Sequence, residues 1–211
     1  YRKLDESSEN WYQELLTVCK QHQISELLVM RQSDKNPQNQ LEKWAKQNKI
    51  LLQTTENTLF LTRSVDFEDW AKQQKQLKME TFYHWQRQRL DILMHNGKPL
   101  GGQWNYDAEN RKNIPAGYIF PPYLTHERDE IDLAVIKELE ESKLELWGNS
   151  PDLTWATTRA GALRQLKYFI DNHLENFGTY EDAMTDENWA LHHSLLSPYL
   201  NNGLLHASEV I

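Results

Sequence analysis

Ser194 and Ser197 stand in His193-Ser194-Leu195-Leu196-Ser197-Pro198-Tyr199-Leu200, close to the C-terminal end of the chain. Serine is a favoured helix N-cap and proline suits the first helical position, so Ser197-Pro198 predicts a helix that starts there. The free N–H groups of its first turn, the positive end of its dipole and the two hydroxyls would together suit a phosphate. Ser-Pro caps also begin many helices that bind nothing, so the surrounding residues must carry the functional reading. Gly101-Gly102-Gln103-Trp104-Asn105-Tyr106-Asp107-Ala108-Glu109-Asn110-Arg111 gathers two glycines, carboxylates, amides and an arginine. Asp107 or Glu109 is expected to pair with Arg111 as a structural loop contact. The segment lacks the spacing of a phosphate-cradling P-loop, which excludes that kind of nucleotide site. A third group, Phe177-Gly178-x-Tyr180-Glu181-Asp182-Ala183-Met184, precedes the serines.

The adjacent pair His192-His193, and the separate His84, His95, His126, His173 and His206, show no His-Glu-x-x-His spacing, so no metal site is expected. No Gly-x-Ser-x-Gly elbow occurs, which removes hydrolase readings. The 211 residues carry a net charge of -8, which argues against non-specific binding to nucleic acid or a membrane surface. Any DNA contact must be local. The single cysteine, Cys19, excludes an internal disulfide framework or a zinc or iron–sulfur site made by this chain alone, and fits a reducing cytoplasm. No run approaches the ~20 apolar residues that span a bilayer. The chain begins at Tyr1, not Met, and reads as a piece of a longer protein.

The elements that must position these groups follow from the apolar pattern. Trp11, Leu15, Val18 and Cys19 recur at helical spacing from Glu9 to about Gln23, with Ser7 or Ser8 as the cap. Leu27–Met30 reads as a strand buried on both faces of a parallel sheet, Asn36-Pro37 opens a second helix, and Ile50–Leu52 and Leu59–Leu61 are further apolar runs in α/β order. Ser64 begins a helical pattern that continues to about Leu90, its Lys/Gln/Arg-rich face solvated. From His95 to Thr125 glycine, proline and aromatic residues describe a long ordered loop. Beyond it the pattern is helical only. It comprises a helix from Arg128 to Leu146 stopped by Gly148-Asn149-Ser150-Pro151, and one capped by Thr157 or Thr158 with Leu163, Leu166, Ile170 and Leu174 on its stripe, ending at Phe177-Gly178. A polar loop then leads to the Ser197-Pro198 helix.

The segment Ser194-Leu195-Leu196-Ser197-Pro198-Tyr199-Leu200-x-x-Gly203 resembles the flavin-phosphate signature of the photolyase and cryptochrome superfamily. Phe82-Tyr83, Lys98-Pro99-x-Gly101-Gly102-x-Trp104-Asn105-Tyr106-Asp107-x-Glu109-Asn110-Arg111-Lys112, Phe177-Gly178-x-Tyr180-x-Asp182-Ala183-Met184 and His193-Ser194 resemble more narrowly the deoxyribodipyrimidine photolyase-related proteins. That branch holds the bacterial iron–sulfur (6-4) photolyases and prokaryotic cryptochromes. The resemblance implies that residues 1–94 are the C-terminal part of a Rossmann-like α/β antenna domain. It makes 95–127 an interdomain connection and 128–211 the first helices of an all-helical FAD-binding domain. Tyr180 would contact the ribityl or phosphate region of FAD, and Ser194, Leu196 and Ser197 would line its diphosphate.

The same resemblance implies FAD, a ribityllumazine antenna and a four-cysteine [4Fe–4S] cluster in the complete protein, with the cluster ligands outside this chain. The implied activity is light-driven repair of a (6-4) lesion in damaged DNA by a cytoplasmic monomer. A blue-light receptor with the same flavin pocket and a cofactor-free interaction module are the alternatives. Taken alone, the chain is expected to bind FAD weakly or not at all. The Gly-Gly-x-Trp loop is expected to set the relative orientation of the two domains and to border the DNA-facing surface, so that Arg111→Ala costs stability or domain order.

Overall fold

The helical spacing of Trp11, Leu15 and Cys19 is realised in α1 (Trp11–Gln21), whose most buried residue is Cys19. The computed structural model describes residues 11–142, 144, 145, 147, 148 and 154–211, so Ser7, Ser8, Glu9, Leu146 and Asn149-Ser150-Pro151 of the sequence reading lie outside the described residues. The chain divides into two compact units, Tyr1–Lys75 and Gln76–Ile211.

In the first unit α1 leads to β1 (Glu26–Met30), then to α2 (Lys35–Gln47) and β2 (Leu51–Thr55). Asp34 is the N-cap of α2, its side chain accepting from the Asn36 N–H at 2.9 Å, so the helix begins just ahead of Pro37. β1 and β2 pair in parallel, Glu26 opposite Leu51 and Met30 opposite Thr55, with α2 as the crossover. Cys19, Leu41, Trp44, Ala45 and Ile50 form the core, and Leu27, Val29 and Leu52 point into it.

The expectation that Leu27–Met30 is covered on both faces fails. Burial alternates along β1, and Leu28 on the opposite face is 68% exposed. A continuous apolar run does not distinguish a strand covered on both sides from one covered on a single side. The run Leu59–Leu61 forms turns and bends, and the long helix from Ser64 is two helices, α3 (Ser64–Lys72) and α4 (Met79–Leu90), separated by residues 73–78.

The second unit begins with α4. A hairpin follows, β3 (Met94–His95) against β4 (Lys98–Pro99). Asn96 and Gly97 stand between the strands at φ 49° and 73°, the positive values that a two-residue hairpin turn requires and that this dipeptide supplies at low cost. The expected long loop therefore contains the hairpin and short 3₁₀ turns at Leu100–Gly102 and Asp107–Glu109. Next come α5 (Glu130–Glu141), α6 (Arg159–Asn172), α7 (Leu174–Tyr180), α8 (Ser197–Asn201) and α9 (Ala207–Val210). α5 starts with a capping box between Asp129 and Asp132 and stops at Glu141, short of the expected limit.

Thr158 caps α6, its hydroxyl accepting from the Gly161 N–H at 3.2 Å. The buried face of α6 is Ala162, Gln165, Leu166 and Phe169, whereas Leu163 and Ile170 of the expected stripe are 40% and 49% exposed. Small Ala162, 0% exposed, belongs to this face, which a pattern that counts only large apolar residues misses. α6 ends before His173, and Phe177-Gly178 lies inside α7, where it does not terminate a helix. Ala156, Ala162, Leu166, Phe169, Leu196, Tyr199 and Leu205 form this unit's core. The chain is thus mixed α/β, with a small parallel sheet in one unit and a mainly helical second unit.

Candidate functional site

Tyr180, the last residue of α7, places its ring 5.8 Å from that of His192, nearly parallel at 22°, and 5.4 Å from the ring of Tyr118. His192 is 2% exposed and its Nε2 shares a 2.8 Å hydrogen bond with the Tyr118 hydroxyl. His173 closes the group, its ring 5.4 Å from His192. His193 and Ser194 follow directly, and the Ser194 carbonyl accepts from Gln165 Nε2 on α6 at 3.4 Å. Tyr180 thus packs on His192, which stands two residues ahead of Ser194 in the chain. His192 is buried and its neighbour His193 exposed, as adjacent residues pointing different ways must be.

The start of α8 differs from the sequence reading by one residue. Leu196 is the N-cap, with no side-chain capping bond, and Ser197 and Pro198 are the first residues inside the helix. Leu196 is 2% exposed and anchored in the core, which draws the chain into the turn one residue early. Ser194 Oγ accepts from the Leu196 N–H at 3.4 Å, a local hydroxyl turn in place of the expected Ser197 cap. A helix of five residues has little macrodipole, so the anion argument from the helix dipole falls away. Two hydroxyls remain, that of Ser194 half-buried and that of Ser197 exposed. The Leu196 side chain faces the core and offers a ligand only its backbone.

The Gly-Gly-x-Trp loop is held by a residue that the sequence reading assigned to a solvated face. Arg87 is 7% exposed. Its guanidinium donates to the carbonyls of Ile92 at 3.2 Å, Leu93 at 2.6 Å and Trp104 at 3.0 Å, and to the Tyr83 hydroxyl at 3.2 Å. It also lies 5.5 Å from the centroids of both the Tyr83 and Trp104 rings, and Trp104 stacks on His84 at 4.1 Å. Gly101 has φ +80°, and a Cβ there would collide with the Tyr106 hydroxyl, so this position requires glycine. These residues border an open cavity of about 600 Å³ walled by Tyr83, Leu93, Leu100, Trp104 and Tyr106.

Arg111 pairs with neither Asp107 nor Glu109. Its Nε donates to Asp182 Oδ2 at 3.2 Å, and beside it the Lys112 N–H donates to the Thr179 carbonyl at 3.4 Å and the Asp182 N–H to the Asn110 carbonyl at 3.2 Å. Two of the motifs noted in the sequence thus meet side by side. The Arg111 and Asp182 side chains are 75% and 47% exposed, and solvent screens such a pair. Arg111→Ala is accordingly expected to lower unfolding stability by under ~1 kcal/mol in urea denaturation, the backbone bonds surviving. A loss of several kcal/mol would show that the pair holds the loop.

Burial keeps the imidazoles of His126, His173 and His192 below the ordinary histidine value of about 6.5, and for His173 the nearby His192 adds to the effect. The unfolded chain takes up protons at these groups as the pH falls through about 6.5, while the folded protein resists, so unfolding binds protons. Their effect is absent above that pH and destabilises progressively below it, until the lowered folded values are passed. Glu209, held at about 2 by Arg159, has the usual carboxylate sign: its contribution is present above 4.5 and is lost as the pH falls toward 2. Urea midpoints should stay level at neutral pH and drop on acidification below about 6.5. A midpoint unchanged down to about pH 5 would contradict the burial of these histidines as neutral groups.

Sequence reasoning missed Arg87 and the pairing of Tyr118 with His192. The density of aromatics in a glycine- and proline-rich loop was the available signal. Among the described residues no group of three or more His, Cys, Asp or Glu could hold a metal, and no helix is long and apolar enough to cross a membrane.

The family model for deoxyribodipyrimidine photo-lyase-related protein matches residues 1–155. A (6-4) photolyase of Agrobacterium fabrum is 40% identical over 151 residues, 72% of this chain and 30% of that protein. An uncharacterised protein of Acanthamoeba polyphaga mimivirus is 38% identical over 60 residues, 26% of this chain and 31% of that protein. The chain therefore spans about a third of the length of these relatives, and Tyr180, Ser194, Leu196 and Ser197 lie beyond the stretch that the family model matches.

Proposed function

Because the chain belongs to the deoxyribodipyrimidine photo-lyase-related proteins, we propose that the protein carrying it is a flavin-dependent, light-driven lyase that repairs (6-4) lesions in damaged DNA. The observation that carries this reading is the 40% identity to a (6-4) photolyase over 151 residues. In this reading residues 1–94 belong to an α/β antenna domain that would carry a ribityllumazine, 95–127 connect the domains and 128–211 begin the helical FAD domain.

The donor set of the second unit fits the phosphate end of FAD. Ser194 Oγ uses a lone pair toward the Leu196 N–H and keeps its own proton to donate, and the exposed Ser197 hydroxyl is not spent on capping. Tyr180 offers a half-buried aromatic face beside them. Reduced FAD supplies the photoexcited electron donor of this chemistry. The chain's own residues orient it, and the wider helical domain keeps water from the extruded base. A four-cysteine cluster does not fit this chain, whose only cysteine is Cys19, buried in the first unit's core. The test is illumination of the protein carrying this chain with DNA containing a (6-4) photoproduct. Lesion loss that requires both flavin and light supports the reading. A protein that keeps its flavin but repairs nothing at high concentration is a blue-light receptor, and a colourless one that takes up no flavin is an interaction module.

A further inference from the structure

We propose that His192 is a positioning residue for the flavin-diphosphate site: pinned by Tyr118, its ring braces the Tyr180 ring, and its anchored backbone sets the start of the turn that carries Ser194. The inference rests on the reading of those four residues as flavin contacts and adds to it a residue that touches none of the ligand's atoms.

Three observations carry it. The first is the hydrogen-bonded anchor, Tyr118 hydroxyl to His192 Nε2 at 2.8 Å, which joins positions 74 apart in sequence and so ties the glycine- and proline-rich segment to the chain that leads into α8. The second is the ring geometry. His192 stacks on Tyr180 at 5.8 Å, while Tyr118 meets both rings edge-on, at 5.4 Å from Tyr180 and 5.8 Å from His192. Tyr180 is thereby braced on two sides by groups that brace each other. The third is the backbone. Leu191 and Leu195 flank the histidine and the serine at φ +50° and +57°, a left-handed region that leucine enters only when the surrounding contacts over-determine it. His192, 2% exposed, is the most deeply held side chain between those two turns.

A site assembled from a helix end and a turn gains affinity when its groups are ordered before the ligand arrives, because the ordering entropy is then not charged to binding. A histidine that merely filled space would be replaced by phenylalanine without consequence for a ligand. One that positions through Nε2 would not.

The test compares four variants of the flavin-loaded protein that carries this chain: Tyr118→Phe, His192→Phe, His192→Gln and Ser194→Ala. Flavin dissociation rate and the ³¹P resonances of the bound FAD diphosphate are the readouts. Losing the hydrogen bond in Tyr118→Phe or His192→Phe is expected to speed dissociation by about tenfold and to move the ³¹P resonances toward those of free FAD. His192→Gln, whose amide can reach the Nε2 position, should restore both. If His192→Phe fails to fold, Tyr118→Phe and His192→Gln still decide the matter. Ser194→Ala weakening flavin while the Tyr118 and His192 variants behave as wild type would overturn the positioning role and leave the site reading standing. Ser194→Ala without effect, or a protein that takes up no flavin, would overturn the site reading and the inference with it.

Discussion

Replacing Arg87 by alanine is expected to cost about 3 kcal/mol of unfolding stability, because a part-buried charged donor is worth more than a neutral one and several acceptors are orphaned together. The carbonyls of Ile92 and Trp104 and the Tyr83 hydroxyl lose this donor at once, while the Leu93 carbonyl keeps the Leu100 N–H at 2.8 Å. The guanidinium plane facing the Tyr83 and Trp104 rings is lost as well. Arg87→Lys should recover little, since an ammonium is a single point that cannot span three separated carbonyls. The measurement is the urea unfolding free energy of the chain, followed by far-UV circular dichroism. A loss below ~1 kcal/mol would place Arg87 among ordinary surface arginines.

Arg87 also marks where reading the sequence reaches its limit. The helical period identified α4, but it joined α4 to α3 and assigned the polar residues to solvent. Periodicity concerns neighbours three and four positions away, whereas two of Arg87's carbonyl acceptors lie just past the helix and the third lies 17 residues on. The pairing of Arg111 with Asp182 escaped for the same reason, since 71 residues separate them and the nearer carboxylates had only local proximity in their favour. What was legible was local. Thr158 as a cap, the helix opened at Asn36-Pro37 and the helix at Ser197-Pro198 all depend on a few adjacent residues. Even there the cap of α8 moved to Leu196, because burial of a leucine outweighs the modest preference for a serine N-cap.

Tyr199→Ala is expected to cost about 4 kcal/mol, the range for deleting a fully buried aromatic side chain, and is the largest single effect predicted for the second unit. Tyr199 is 1% exposed and packs with Ala156, Ala162, Leu166, Phe169, Leu196 and Leu205. Its hydroxyl accepts from the Ala156 N–H at 3.0 Å, so the alanine variant leaves both a cavity and an orphaned donor. Tyr199→Phe separates the two terms. It keeps the packing, loses only the acceptor, and should cost about 1–2 kcal/mol. Unchanged midpoints in both variants would mean that the core of this unit does not close around α8. The result matters for the flavin reading, because Tyr199 sits in the same signature as Ser194 and Ser197. In that segment Leu196 and Tyr199 build the core, and Ser194 and Ser197 carry hydroxyls that are half-buried and exposed.

The two leucines at positive φ have a kinetic consequence. A non-glycine residue held in the left-handed region stores on the order of 1–3 kcal/mol, and Leu191 and Leu195 do so within five residues of each other. That stored energy is released as soon as the segment lifts from its support, so the turn has a lower opening free energy than the helices on either side. In native-state hydrogen exchange the amides of His192 to Leu196 should exchange through local opening, ahead of those in the middle of α6. The segment that carries the Ser194 hydroxyl is therefore expected to open before the helices beside it.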